Sequence, residues 1–255
     1  MRTFLRTCSK SSVTANVLVC SGMFLNTVGV RRKVSIWEKT KYTSIITVFI
    51  TLSYFMIQNL VPFSPLDLTL PIDKHLPFIP EFVWVYHTLV PVLMLSCIFI
   101  IKRKSTFYTS CLSFVITASV LNVFYVLMPS FYPREDFVIE GAASWLVSLT
   151  REIDGSNNTF PSGHVALSWL LAFVMQQTEL AKNNTLVRGA FFTWASLIAL
   201  STLFLKQHYF VDVISGIALA YMAYKAAQKI YHMKKKPAWL AGSKRSDEQL
   251  PQLAE

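Results

Sequence analysis

Two short stretches of this 255-residue chain place ionisable residues directly beside apolar runs. The first is Phe160-Pro161-Ser162-Gly163-His164, followed at once by an apolar segment. Proline is tolerated at a helix start, where its missing N–H would be unpaired anyway, and a helix amino terminus offers free N–H groups and partial positive charge to an anion. The stretch therefore predicts a seat for a phosphate-like group. Gly163 permits close backbone approach, Ser162 can donate to an anionic oxygen, and His164 on the first turn can protonate a leaving group. The second stretch is Lys206-Gln207-His208-Tyr209-Phe210-Val211-Asp212. A helix starting near Gln207 would put His208 and Asp212 on one face, so the carboxylate holds one imidazole nitrogen and leaves the other as a nucleophile. Lys206 would bring positive charge to the phosphoryl oxygens, with Arg134 and Arg151 as further candidates. A lone histidine at a membrane boundary is usually structural. Two histidines, an aspartate and a lysine converging from separate clusters point to phosphoryl transfer, because ionisable groups in a membrane are costly and tend to be functional. No metal-ligand spacing is present, so the expected chemistry uses neither a metal nor another cofactor.

The elements that must position these residues are apolar. Hydrophobic residues make up 53% of the chain, and they fall in runs: 43–61, 82–101, 107–128, 165–175, 186–205 and 209–224. Most approach the ~20 residues that a ~30 Å hydrocarbon core requires, and they are apolar all round rather than on one face. The expected fold is thus all-α, a polytopic membrane protein with a bundle of six transmembrane helices. The net charge of +10 does not mark a nucleic-acid binder, because lysine and arginine flank the runs in clusters such as Arg31-Arg32-Lys33, Lys102-Arg103-Lys104 and Lys234-Lys235-Lys236. With both termini inside, these clusters are cytoplasmic, and the opposite face keeps Lys74, Arg134, Arg151 and Lys206 against nine carboxylates, the positive-inside pattern. Both chemical stretches then meet on the non-cytoplasmic face of a plasma, inner or endomembrane. Residues 1–42 read as a basic cytoplasmic segment, with a doubtful apolar stretch over 13–30; 43–232 as the membrane domain; and 233–255 as a polar cytoplasmic tail. Five prolines within 62–81 predict an extended outer loop able to cap the site, and 129–160 a long outer loop with some helix over 141–149. Cys8, Cys20, Cys97 and Cys111 show no disulfide or metal framework and read as small buried hydrophobes.

The two stretches, some forty residues apart, resemble the second and third signature motifs of the type 2 phosphatidic acid phosphatase (PAP2) superfamily, over about residues 129–224. The resemblance implies a six-helix membrane fold, metal-independent chemistry, a phosphohistidine intermediate on His208, and a lipid phosphate or phospholipid as substrate. The chain departs from the pattern where the third motif usually carries arginine, since Ser201 is followed by Thr202, and the first motif has no clear match. These departures, with the Asn158-Thr159-Phe160-Pro161-Ser162 lead-in, look closer to the branch of the inositol phosphorylceramide synthases, which moves a head group between lipids; sphingomyelin synthases are also similar. The expectation is a lipid phosphatase acting on phosphatidate or a lipid pyrophosphate. The alternatives are head-group transfer, and a non-catalytic lipid-binding or transport protein that has lost the chemistry.

Overall fold

A computed structural model describes residues 34–61, 66–134 and 136–233. Most of the expected amino-terminal segment, including the apolar stretch over 13–30, and nearly all of the tail lie outside them. The described residues are mainly helical, without strands; two isolated bridges, Leu66 with Ser130 and Phe131 with Asn157, join three of the connecting loops. The helices are α1 (Ile36–Leu60), α2 (Val83–Tyr86), α3 (Leu89–Leu95), α4 (Lys104–Leu127), α5 (Gly141–Ile153), α6 (Gly163–Met175), α7 (Glu179–Lys182), α8 (Thr185–Phe204) and α9 (Phe210–Met233). The chain is an all-α polytopic membrane protein: α1, the run Pro80–Ile100, α4, α8 and α9 are each long and apolar enough to cross a bilayer.

The run Pro80–Ile100 is segmented. It opens with a 3-10 turn at Pro80–Phe82, continues through the short α2 and α3 and ends in a π-helical turn at Ser96–Ile100. That turn leaves the Ile98 carbonyl to the ammonium of the buried Lys39, 2.8 Å away, which fastens α1 to the run. The expected fourth span is α6, only 13 residues long, or about 20 Å at the α-helical rise. It is also the most enclosed helix. Val165, Ala166, Leu170, Leu171, Ala172 and Met175 are fully buried, and α6 packs against α9, α8, α4 and α3. Its all-round apolar sequence follows from being surrounded by protein. On α1, by contrast, Ile45, Val48, Leu52 and Met56 are more than half exposed, as suits a helix whose solvent is lipid.

Candidate active site at the amino-terminal ends of α6 and α9

Helix α6 starts at Gly163 because Ser162 caps it, its Oγ accepting the Val165 N–H at 3.4 Å. The Ser162 N–H donates to the Asp212 carbonyl at 3.1 Å, tying the first motif to the first turn of α9. The two helices approach so closely that a Cβ at Gly216 would lie 2.8 Å from the Ser162 carbonyl oxygen, a contact only glycine permits. Ser162 is fully buried and occupied by these structural bonds. A Cβ at Gly163 would meet the Tyr125 hydroxyl at 3.0 Å, and that hydroxyl donates to the Pro161 carbonyl.

The second motif differs from the expected helix start. Helix α8 ends at Phe204 and α9 begins only at Phe210, so His208 stands on the connecting turn, where Lys206 adopts a left-handed backbone with φ 56°. The late start has a cause. Asp73, on the loop before α2, accepts the Phe210 N–H on Oδ1 at 2.8 Å and the Leu70 N–H on Oδ2 at 2.8 Å, while the Asp212 carboxylate accepts the Tyr209 N–H at 2.9 Å. Two carboxylates thus satisfy the amino terminus of α9. His208 and Asp212 still meet, since the Asp212 oxygen that caps the turn lies 3.4 Å from His208 Nδ1.

The closer partner of His208 is the Thr159 carbonyl, 2.9 Å from Nδ1. A carbonyl oxygen can only accept, so Nδ1 carries the proton and Nε2 keeps a lone pair. His164 is held in a parallel way. Its ring stacks on Tyr86, with centroids 4.1 Å apart and planes inclined by 25°, and its Nδ1 lies 3.4 Å from the Tyr86 hydroxyl oxygen. That hydroxyl donates to Asp154 Oδ2 at 3.1 Å, and the Tyr54 hydroxyl donates to the other carboxylate oxygen. With both phenol protons given to Asp154, the Tyr86 oxygen meets His164 with a lone pair, which calls for a proton on its Nδ1. The two imidazole rings sit 6.3 Å apart, centroid to centroid.

His164, His208 and Gly163 border one cavity of about 330 Å³ together with Asp154 and Asn158, while Ile50, Phe55, Val90, Leu121 and Leu149 line its apolar remainder. The expected cations stand elsewhere. Arg134 donates to the carbonyls of Arg151 (3.0 Å), Asp154 (2.6 Å) and Gly155 (2.8 Å) and to Gln207 Oε1 (2.5 Å), and so clasps the end of α5 and the residues after it to the turn bearing His208. Burial lowers its pKa from the usual range, while the neighbouring Asp154 carboxylate favours its charged form. Arg151 lies over the rings of Phe78 and Phe137 and donates to the Leu205 carbonyl. The Lys206 ammonium donates to the Asp73 carbonyl at 3.0 Å. Lys206 and Arg151 border a separate cavity with Asp73 and Tyr209. Among the described residues lining the histidine cavity there is no lysine or arginine.

Sequence reasoning thus brings His164, Gly163, His208 and Asp212 together but not the three cations, and it passes over Asp154, Tyr86, Asn158 and Thr159. Tyr86 and Asp154 are 68 residues apart, and nothing in their spacing joins them. Asn158 and Thr159 stood within the lead-in to the first motif, where a signal was available. Among the described residues no group of three or more His, Cys, Asp or Glu is placed to hold a metal ion.

The family model of the PAP2 superfamily matches residues 65–226, and the chain belongs to that superfamily. The match runs from the loop before α2 into α9, and so covers His164, His208, Asp154 and Asn158 but not Tyr54 on α1. No curated protein matches the chain.

Proposed function

We propose that the chain is a membrane phosphoryl-transfer enzyme that acts on a lipid-borne phosphate through a phosphohistidine at His208. The observation that carries this reading is that two of the three imidazoles bordering one cavity are held through Nδ1, His208 by the Thr159 carbonyl at 2.9 Å and His164 by Tyr86 at 3.4 Å, while the third, His87, is tied through Nε2 to the Thr150 hydroxyl. Nε2 of His208 attacks phosphorus, the bond to the leaving alkoxide breaks, and His164, which enters the cycle protonated on both nitrogens, gives its Nε2 proton to that alkoxide. Asp212 and the Thr159 carbonyl stabilise the positive charge that grows on the His208 ring. Water or a second alcohol then attacks phosphorus, His164 takes its proton, and His208 is released. The apolar remainder of the cavity suits an acyl chain, which supports a lipid substrate. The charge bias of the loops supports a site on the non-cytoplasmic face.

Head-group transfer of the inositol phosphorylceramide synthase or sphingomyelin synthase type is the second reading, and a specific observation favours it. A phosphomonoester brings nearly two negative charges, whereas a phosphodiester brings about one. A cavity without lysine or arginine among its described lining, in a chain with Thr202 at the position of the motif arginine, suits the smaller charge. Turnover of phosphatidate, of a lipid pyrophosphate, and of phosphatidylinositol or phosphatidylcholine with ceramide or diacylglycerol acceptor separates these readings. Phosphate release supports the phosphatase, and acceptor-dependent product the transferase. No turnover on any of them leaves a lipid-binding or transport protein.

A further inference from the structure

Asn158 is 2% exposed and borders the histidine cavity, yet neither its Oδ1 nor its Nδ2 has a hydrogen-bond partner. Among the described residues lining that cavity it alone has buried, unpartnered polar side-chain atoms. Buried polar groups are nearly always paired, so such a group in a native fold asks for an explanation. Its backbone is left-handed as well, with φ 61°, a conformation that asparagine tolerates better than most residues but does not prefer.

The neighbours enforce this placement. Asn157 Nδ2 donates to the Gln58 carbonyl at 3.1 Å, and Phe131 forms a bridge with Asn157. On the other side the Thr159 hydroxyl shares a hydrogen bond with Ser130 Oγ at 2.6 Å, the Thr159 carbonyl holds His208, and the Phe160 N–H donates to Ser130 Oγ. Residue 158 is thus pinned from both sides, with its primary amide buried at the border of the cavity and without a hydrogen-bond partner. Strain and an unmet polar group, stored together beside two histidines, are what a preorganised ligand contact looks like.

We infer that Asn158 is a substrate-contacting residue whose amide N–H donates to a phosphoryl oxygen of the group attacked by His208, the neutral counterpart of a cation that is absent from the cavity's described lining. The inference rests on the phosphoryl-transfer reading above. It also fits the charge inventory, since an amide dipole stabilises charge developing on a phosphoryl oxygen without requiring a carboxylate to balance it. Asn158 Oδ1 remains free to accept from a hydroxyl, the group that an alcohol acceptor brings.

Two variants test it. Asn158→Gly keeps the left-handed backbone and deletes the amide; Asn158→Asp keeps the shape and turns the donor into an anion. Orthovanadate, an analogue of phosphoryl-transfer transition states, is the binding probe, followed by vanadium NMR on the purified full chain in detergent alongside His208→Ala. Turnover is measured on the substrate identified for the wild type, and thermal melting on every variant. Asn158→Gly is expected to melt no lower than wild type, since it loses no bond, yet to bind orthovanadate at least ~10-fold more weakly and to lose ~10²-fold in kcat, the scale of one preorganised donor. Asn158→Asp is expected to lose more. Wild-type affinity and turnover in Asn158→Gly overturn the inference, and so does a lowered melting temperature in both variants with activity falling in proportion, which assigns Asn158 to the fold. Orthovanadate binding unaffected by His208→Ala, or absent from the wild type, overturns the phosphohistidine reading itself, and the role of Asn158 with it.

Discussion

Each histidine of the cavity has one nitrogen tied to the protein and one free, and the ties differ. His208 leans on a carbonyl and a carboxylate, at 2.9 and 3.4 Å, an environment that suits an imidazole gaining positive charge as it bonds to phosphorus. His164 leans on a phenol that is itself bound to Asp154, which holds its ring in place for proton transfer. Asp212→Asn keeps the size and weakens the charge support, so kcat should fall by about 10²-fold or more while KM changes little. Tyr86→Phe keeps the stacked ring and removes the hydroxyl. Its effect should depend on the leaving group, with large losses for an alkyl alcohol and small ones for a nitrophenolate that needs no proton; equal losses on both would remove Tyr86 from the support of the acid. The histidines and Asp212 were legible as residues because charged groups stand out against apolar runs. Asp154 was not, since in sequence it is one acid among many in an outer loop.

The helices were legible as elements, and their ends were not. Hydropathy marks all six runs, but the start of α9 is set by Asp73, well over a hundred residues upstream, whose carboxylate takes the Phe210 N–H. Helix propensity near Gln207 carries no trace of that tie. The same loop holds the Lys206 ammonium through the Asp73 carbonyl. Lys206→Gln should therefore lower the melting temperature in detergent and leave kcat/KM within about 10-fold of wild type. A loss of ~10²-fold without a change in stability would return Lys206 to the phosphate. Gly216 tests the packing of α9 on α6. Gly216→Ala forces a methyl to within 2.8 Å of the Ser162 carbonyl oxygen, and should destabilise by about 1–3 kcal/mol as an overpacked contact does. An unchanged melting temperature would mean that the helices separate more easily than this contact implies.

At the scale of the whole molecule, composition and the spacing of the runs sufficed for an all-α membrane protein, because lipid demands apolar surface on every outward face. The apolar wall of the site was not legible. It comes from α1, α3, α4 and α5, whose apolar side chains line the cavity that His164, on the enclosed α6, borders. The charge bias predicts that a reporter fused after Glu255 reads cytoplasmic and one inserted near Leu68 reads external. The reverse would place the site on the other face without separating the two motifs. The central claim is covalent, and it is tested most directly by rapid quench of the purified protein with a lipid substrate carrying radiolabelled phosphorus, followed by peptide mapping under alkaline conditions that preserve phosphoramidates. The account predicts acid-labile label on His208, formed within one turnover and absent from His208→Ala, which is inactive though folded. Turnover with no label on His208, or appreciable turnover by His208→Ala, would contradict it.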